Sequence, residues 1–165
     1  MPFNLELKIK TVSHRKFEQI LRQIGAEDKG ILKQKDVYYK MKNGLLKLRI
    51  ENGTFTLIKY LRDEKGKRWS NYELLKLECK NPEKYLSEIL MIEGVVEKQR
   101  KLFMYKNTRV HLDTVKGLGK FLELETLLVA GRKDAENRFC EIVEILNLDT
   151  GKQIRGSYKN LLMKK

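Results

Sequence analysis

The chain has 165 residues, enough for one domain, and 41% of them are hydrophobic, enough for a core of its own. Its 35 Lys and Arg against 22 Asp and Glu leave a formal charge of +13, which points to anionic partners and says nothing of fold. Cys79 and Cys140 lie far apart and in no CxxC or Cys/His cluster, which leaves no zinc site or disulfide framework, and with no apolar leader or membrane-length apolar run a soluble cytoplasmic protein with reduced thiols is expected.

Along the chain, "NLELKIK" at 4–10 alternates at period two and predicts a strand with Asn4, Glu6, Lys8 and Lys10 on one face and Leu5, Leu7 and Ile9 on the other. Ser13 reads as the cap of a helix through "RKFEQILRQI", stopped at Gly25. Strands follow at "QKDVYYKM", "LLKLRIE" and "TFTLIKYL", the last two joined by Asn52-Gly53, the strongest short hairpin signal. "WSNYELLKLE" is a further strand. Asn81-Pro82 opens a helix, "EKYLSEILMIE", stopped at Gly94. "VVEKQRKLFMYK" and "TRVHLDTV" flank a turn at Lys106-Asn107, and the glycines of "GLG" at 117–119 turn the chain into "KFLELETLLVA". A helix over "KDAENRFCEIVEILN" and a short one over "YKNLLM", capped by Ser157, complete about eight strands and three or four helices, mostly hairpin-linked and so antiparallel.

The polar faces of these strands are charged. Lys47, Arg49 and Glu51 share one face; so do Lys98 and Arg100; so do Arg109, His111 and Asp113; so do Phe121, Glu123 and Glu125. Lys59 ends the fourth strand and Glu73 sits in the fifth. The apolar faces are long and only a few amphipathic helices exist to cover them. A closed eight-stranded antiparallel barrel, charged inside and helix-covered outside, resolves both demands, and a barrel of that size encloses one small ligand. The fold class is therefore α+β, mainly β, in a single domain over 1–165. Buried like charges demand a charged guest. A polyphosphate suits the Lys/Arg set, and a divalent metal, with oxygen ligands from the Glu-x-Glu pair, bridges carboxylate to phosphate.

With these residues in view the chain resembles the CYTH proteins, the triphosphate tunnel metalloenzymes, whose hallmark is an opening strand Glu-x-Glu-x-Lys; here it reads Asn4-Leu5-Glu6-Leu7-Lys8. The resemblance runs on through "QKDVYY", "LLKLRIENG", "TLIKY", "KQRKLFMYKNTRVHLDTVKGLGKFLELE" and "SYKNLL", and "HLDTVKGLGKFLELE" is most similar to the class IV adenylyl cyclases. It implies that Glu6, Glu123 and Glu125 hold Mg²⁺ or Mn²⁺. It implies that Lys8, Arg49, Lys59, Lys98 and Arg100 grip a triphosphate; Lys47, on the face of Arg49, is read as a further substrate-binding residue at the tunnel mouth. Arg109 and Asp113 would line the same lumen, and Glu73 would orient a basic side chain. Glu6, Lys8, Arg49, Lys59 and Arg100 are the residues expected to act in catalysis. The family's activities are cyclisation of ATP to cyclic AMP, and hydrolysis of thiamine triphosphate, inorganic tripolyphosphate or an RNA 5′-triphosphate. The family motif's first Glu is Asn4 here, which offers a carbonyl oxygen without charge.

Against the enzyme stands a binding module, a basic barrel holding RNA or another polyanion without chemistry. Single-strand binders stack bases on exposed aromatics, whereas these faces show charges, so nucleic acid is the lesser expectation. A small triphosphate (ATP, tripolyphosphate or thiamine triphosphate) is the expected partner, with no membrane and a monomer or homodimer. His111 reads as a structural or lumen-lining histidine, since no Ser or Cys nucleophile pairs with it. "GLG" is a turn and not a phosphate loop, because no helix opens there.

Overall fold

The computed structural model describes residues 3–62 and 69–165. Eight strands run β1 (Phe3–Thr11), β2 (Glu27–Tyr39), β3 (Leu45–Glu51), β4 (Thr54–Arg62), β5 (Trp69–Leu77), β6 (Ile92–Tyr105), β7 (Thr108–Val115) and β8 (Gly119–Leu127). Four helices accompany them: α1 (Arg15–Gln23), α2 (Pro82–Ile89), α3 (Arg132–Ile145) and α4 (Tyr158–Met163). The strands close into an antiparallel barrel in the order β1-β5-β4-β3-β2-β6-β7-β8. β1 is the closing strand. It pairs with β8 from Asn4 to Thr11 but with β5 only at Phe3, Asn4 and Leu5. No described helix is long and apolar enough to cross a membrane.

Two hairpin turns have the backbone their sequences ask for. Asn52 and Gly53 sit at φ 48° and 75°, the left-handed pair that matches strand twist, and Lys106 and Asn107 repeat it at 44° and 57°. The α2 cap forms as read: Asn81 accepts from the Lys84 amide at 3.0 Å and Pro82 takes the first position. Ser157 caps α4 by accepting from the Asn160 amide at 3.1 Å. Ser13 lies one residue before the α1 cap, which is His14; the Ser13 hydroxyl accepts from the Arg15 amide instead.

Two boundaries differ from expectation. Helix α2 stops at Ile89 and not at Gly94, because Leu90 is already extended and Ile92 opens β6, paired with Tyr39. β-Branched Ile92, Val95 and Val96 favour the ladder over the helix. Strand β2 begins at Glu27, seven residues before the alternating run, since the 14-residue β6 offers it partners as far as Met104, with a bulge between Asp28 and Ile31.

The apolar faces point outward, as a charged lumen requires. Leu5, Leu7, Ile9, Leu112, Leu122 and Leu124 from β1, β7 and β8 form the main core with Leu21 of α1 and Ala135, Phe139 and Ile142 of α3. A second cluster sets Leu86 of α2 on Val37, Tyr39 and Leu48 of β2 and β3. The third lies at one end of the barrel, where Tyr158 of α4 packs on Tyr38, Val96, Val115 and Phe121. The first two, on the outside, fix which side chains turn inward, and the third plugs the inner face at that end beside the site.

Candidate functional site

Strand parity, locked by the outer cores, assigns the lumen. The ladders place Lys8 opposite Glu123, Glu6 opposite Glu125, Arg49 opposite Asp36, Arg100 opposite Asp113, and His111 opposite Glu123. The cavity, open to solvent at its mouth, is about 270 Å³ and is lined by Asn4, Lys8, Lys47, Arg49, Lys98, Arg100, Arg109, Glu123 and Glu125 among others. That is close to the smaller end of small-molecule sites.

Four of the basic groups are held by two aspartates without solvent exposure. Asp36 takes Arg49 in a two-pronged pair at 2.8 and 2.8 Å, and Lys47 and Lys98 at 3.0 Å each. Burial alone would raise the Asp36 carboxyl, but Arg49, Lys47 and Lys98 outweigh it and hold it well below the usual carboxylate range. Burial pushes Lys98 down to about 7 and Lys47 down to about 8, with Asp36 pulling both back up. Asp113 takes Arg100 in a second two-pronged pair at 2.7 Å on each arm and accepts from the Tyr158 hydroxyl at 2.7 Å. Burial would raise Asp113, yet Arg100 keeps it at about 2. The same Arg100 lies 3.6 Å from Glu123. Lys8 lies 3.5 Å from Glu123 and 4.2 Å over the Tyr158 ring.

The sequence reading missed Asp36. The signal was present: in "QKDVYY", Gln34, Asp36 and Tyr38 share one parity, and Val37 and Tyr39 the other. A carboxylate on the inner face of a strand between two basic strands is a counter-ion by position. Among the described residues, six basic side chains line the cavity (Lys8, Lys47, Arg49, Lys98, Arg100, Arg109), and six carboxylates line it or face the same inner side of its strands (Glu6, Asp36, Glu51, Asp113, Glu123, Glu125). The charge that demanded a guest is largely answered from within, and the chain's net +13 is carried mainly outside.

Lys59 and Glu73 are not in the lumen. They face each other on β4 and β5, on the outer side, and pair at 2.6 Å with both side chains nearly half exposed. Lys59 shares its parity with Phe55 and Leu57, whereas Thr56, Ile58 and Tyr60 turn inward beside Arg49, Lys47 and Leu45. Arg109 stands near the edge of the cavity, 3.3 Å from Glu125. Lys10 stays exposed at the rim.

Three side chains meet at the acidic end of the tunnel. Donor atoms of His111, Glu123 and Glu125 all lie within 4.8 Å of one another. Glu6 is not of that group: its Oε1 accepts from the Ser70 hydroxyl at 2.6 Å and from the Tyr60 hydroxyl. Burial would raise Glu123, but Lys8, His111 and Arg100 hold it well below the ordinary range, so it stays an anion. The Asn4 Oδ1 and His111 Nδ1 atoms are buried with no hydrogen-bond partner among the described residues. Two carboxylates and a ring nitrogen within 4.8 Å of one another fit a divalent cation, and Asn4 lines the same cavity as the two carboxylates.

A family model for the CYTH domain matches residues 3–158. A Methanocaldococcus jannaschii protein, named provisionally as an adenylate cyclase, is 26% identical over 95% of this chain and 97% of its own. The solved structure of a Pyrococcus horikoshii protein superposes with TM-score 0.78 at 22% identity, covering 96% of this chain and 98% of that one. A Hippeastrum protein, first assigned as an adenylyl cyclase and described by a dominant triphosphatase activity, superposes with TM-score 0.70 at 11% identity, covering 99% and 96%.

Proposed function

The chain belongs to the CYTH domain family, and from that premise we propose that its tunnel takes a triphosphate together with Mg²⁺ or Mn²⁺ and acts on it as class IV adenylyl cyclases do, converting ATP to cyclic AMP and pyrophosphate. The observation that supports this reading is the pairing, inside one closed lumen, of a phosphate-gripping half and a cation-holding half. Lys47, Arg49 and Lys98 converge on Asp36 at one side, and Glu123 and Glu125 stand at the other with Lys8 and Arg100 between.

The near balance of charge in the lining explains why a cation belongs to the reading. A lumen whose six basic groups are matched by six carboxylates does not attract a triphosphate strongly by itself. A divalent cation on Glu123 and Glu125, with Glu6 on the adjoining strand, would tip the balance and withdraw charge from the phosphate oxygens and the leaving group. Arg49 and Arg100 remain charged at every working pH and present fixed donors to phosphate oxygens. Asp36 and Asp113 hold those guanidinium groups in place before the substrate arrives, so little reorganisation is needed. In cyclisation the ribose 3′-oxygen attacks the α-phosphorus, the bond from that phosphorus to the bridging oxygen breaks so that pyrophosphate leaves with the electron pair, and the hydroxyl proton passes to solvent.

Hydrolysis is the second reading, with water attacking the γ-phosphorus of tripolyphosphate, thiamine triphosphate or a nucleoside triphosphate. The three cations gathered on Asp36 favour it, because they recognise a phosphate chain whatever it carries. Plain polyanion binding is disfavoured by the same balanced lining. Both cysteines are free and exposed, in keeping with a cytoplasmic protein. The test is product analysis with ATP and with tripolyphosphate, each with Mg²⁺, Mn²⁺ or a chelator. Metal-dependent cyclic AMP and pyrophosphate are expected; inorganic phosphate supports hydrolysis. No product and no metal-dependent binding of either compound overturns the proposal.

A further inference from the structure

We propose that His111 supplies a nitrogen donor, through Nδ1, to the cation held by Glu123 and Glu125, and that this donor makes the site prefer Mn²⁺ over Mg²⁺. The inference rests on the metal-bearing tunnel proposed above and adds the identity of a ligand and the choice of metal.

His111 is 3% exposed, at the centre of β7. The β7–β8 ladder sets it directly opposite Glu123, so both side chains leave the sheet on the inner face at the same level. Its Nδ1 lies 3.6 Å from Glu123 Oε1 and 3.9 Å from Glu125 Oε1. Both distances are longer than an ordinary hydrogen bond, though His111 is near enough to help hold Glu123 down, and Nδ1 has no closer partner among the described residues. A buried ring nitrogen is rarely left so. Donors about 2.1 Å from one cation stand roughly 3 Å apart when they are neighbours around it. The three atoms therefore need only a small inward movement to share an ion, whereas a hydrogen bond would need the ring to choose one carboxylate.

The competing role is a plain ion pair between a protonated ring and the carboxylates. Glu123 already has Lys8 at 3.5 Å and Arg100 at 3.6 Å, and Glu125 has Arg109 at 3.3 Å. A third cation at that spot is redundant; a neutral nitrogen lone pair is not. The lone pair also has a consequence for selectivity. Mg²⁺ takes oxygen ligands and keeps its waters, whereas imidazole suits transition metals. An all-carboxylate site would serve either ion, and one nitrogen among the oxygens tilts it toward Mn²⁺.

The test is pulsed electron paramagnetic resonance of Mn²⁺ bound to the wild-type protein, which reads ¹⁴N coupled directly to the ion, combined with calorimetric titration of Mn²⁺ and Mg²⁺. Wild type should show ¹⁴N coupling, and His111→Ala should lose it. The Mn²⁺-over-Mg²⁺ affinity ratio should fall at least tenfold in His111→Ala, and His111→Asp should shift it further toward Mg²⁺ with an unchanged circular dichroism spectrum. Bound Mn²⁺ without ¹⁴N coupling in the wild type overturns the His111 ligand and leaves the tunnel reading standing. No Mn²⁺ binding at all overturns both.

Discussion

Asp36→Asn removes one charge and exposes how the tunnel is held. The carboxylate is fully buried and answers three basic side chains at once, Arg49 at 2.8 Å and Lys47 and Lys98 at 3.0 Å. The two lysines have an escape. Lys98 sits at about 7 and Lys47 at about 8, so near pH 8 shedding their protons costs little, at 1.36 kcal/mol per unit. Arg49 has none, and it is left as a buried guanidinium without its anion. Breaking a buried pair from one side costs about 3–5 kcal/mol. A chain of this size loses roughly 2–4 °C per kcal/mol, so a fall of about 6–20 °C in Tm is expected by circular dichroism at pH 8. Tripolyphosphate carries the missing negative charge into the lumen. It should raise the Tm of the variant by more than it raises that of the wild type. A variant that melts with the wild type, or that gains no more from tripolyphosphate, refutes the assignment of Asp36 as the tunnel's internal counter-ion.

Glu123→Gln with Glu125→Gln should abolish metal-dependent turnover, by at least a hundredfold, while the far-ultraviolet circular dichroism stays that of the wild type; retained activity removes these residues from the metal site. Asn4→Glu, which places a charge where Oδ1 has no partner among the described residues, should tighten Mn²⁺ and weaken tripolyphosphate measured in chelator, and a loss of both would indicate damage to β1. Lys98 supplies a pH effect whose sign is fixed. Its ammonium pKa is depressed to about 7 in the folded protein from the ordinary 10.5, so above pH 7 the empty tunnel holds it neutral. A bound phosphate favours the charged form, so binding takes up a proton and affinity falls as pH rises from 7 to 9. Calorimetry in two buffers of different ionisation heat should show this uptake in the wild type and less of it in Lys98→Arg, and equal uptake in both would refute it.

The barrel was legible because each strand states its parity. Leu5, Leu7 and Ile9 against Glu6 and Lys8, or Val110 and Leu112 against His111 and Asp113, say which face meets helices and which meets charge. Lys59 was misplaced although its own strand carried the answer, since counting from Thr56 puts it outside with Leu57. The early part of β2 was hidden because exposed polar residues precede Gln34, and only a long partner strand extends the ladder there. The distances among Glu123, Glu125 and His111 depend on shear between β7, β8 and β1, which no local pattern encodes. The Glu6 contacts with Ser70 and Tyr60 cross the closing seam, where sequence separation reaches 64 residues.

Helix α4 gives the tunnel an outside handle. Tyr158 enters from that helix to share Asp113 with Arg100, while Met163, at the helix's other end, stays in water. A binder selected against the outer side of α4 could tug on Tyr158 and slacken the grip on Arg100 without entering the lumen. Such a reagent would act as a remote brake on an interior charge, and the same short helix offers a place to attach a reporter that feels whether the tunnel is filled.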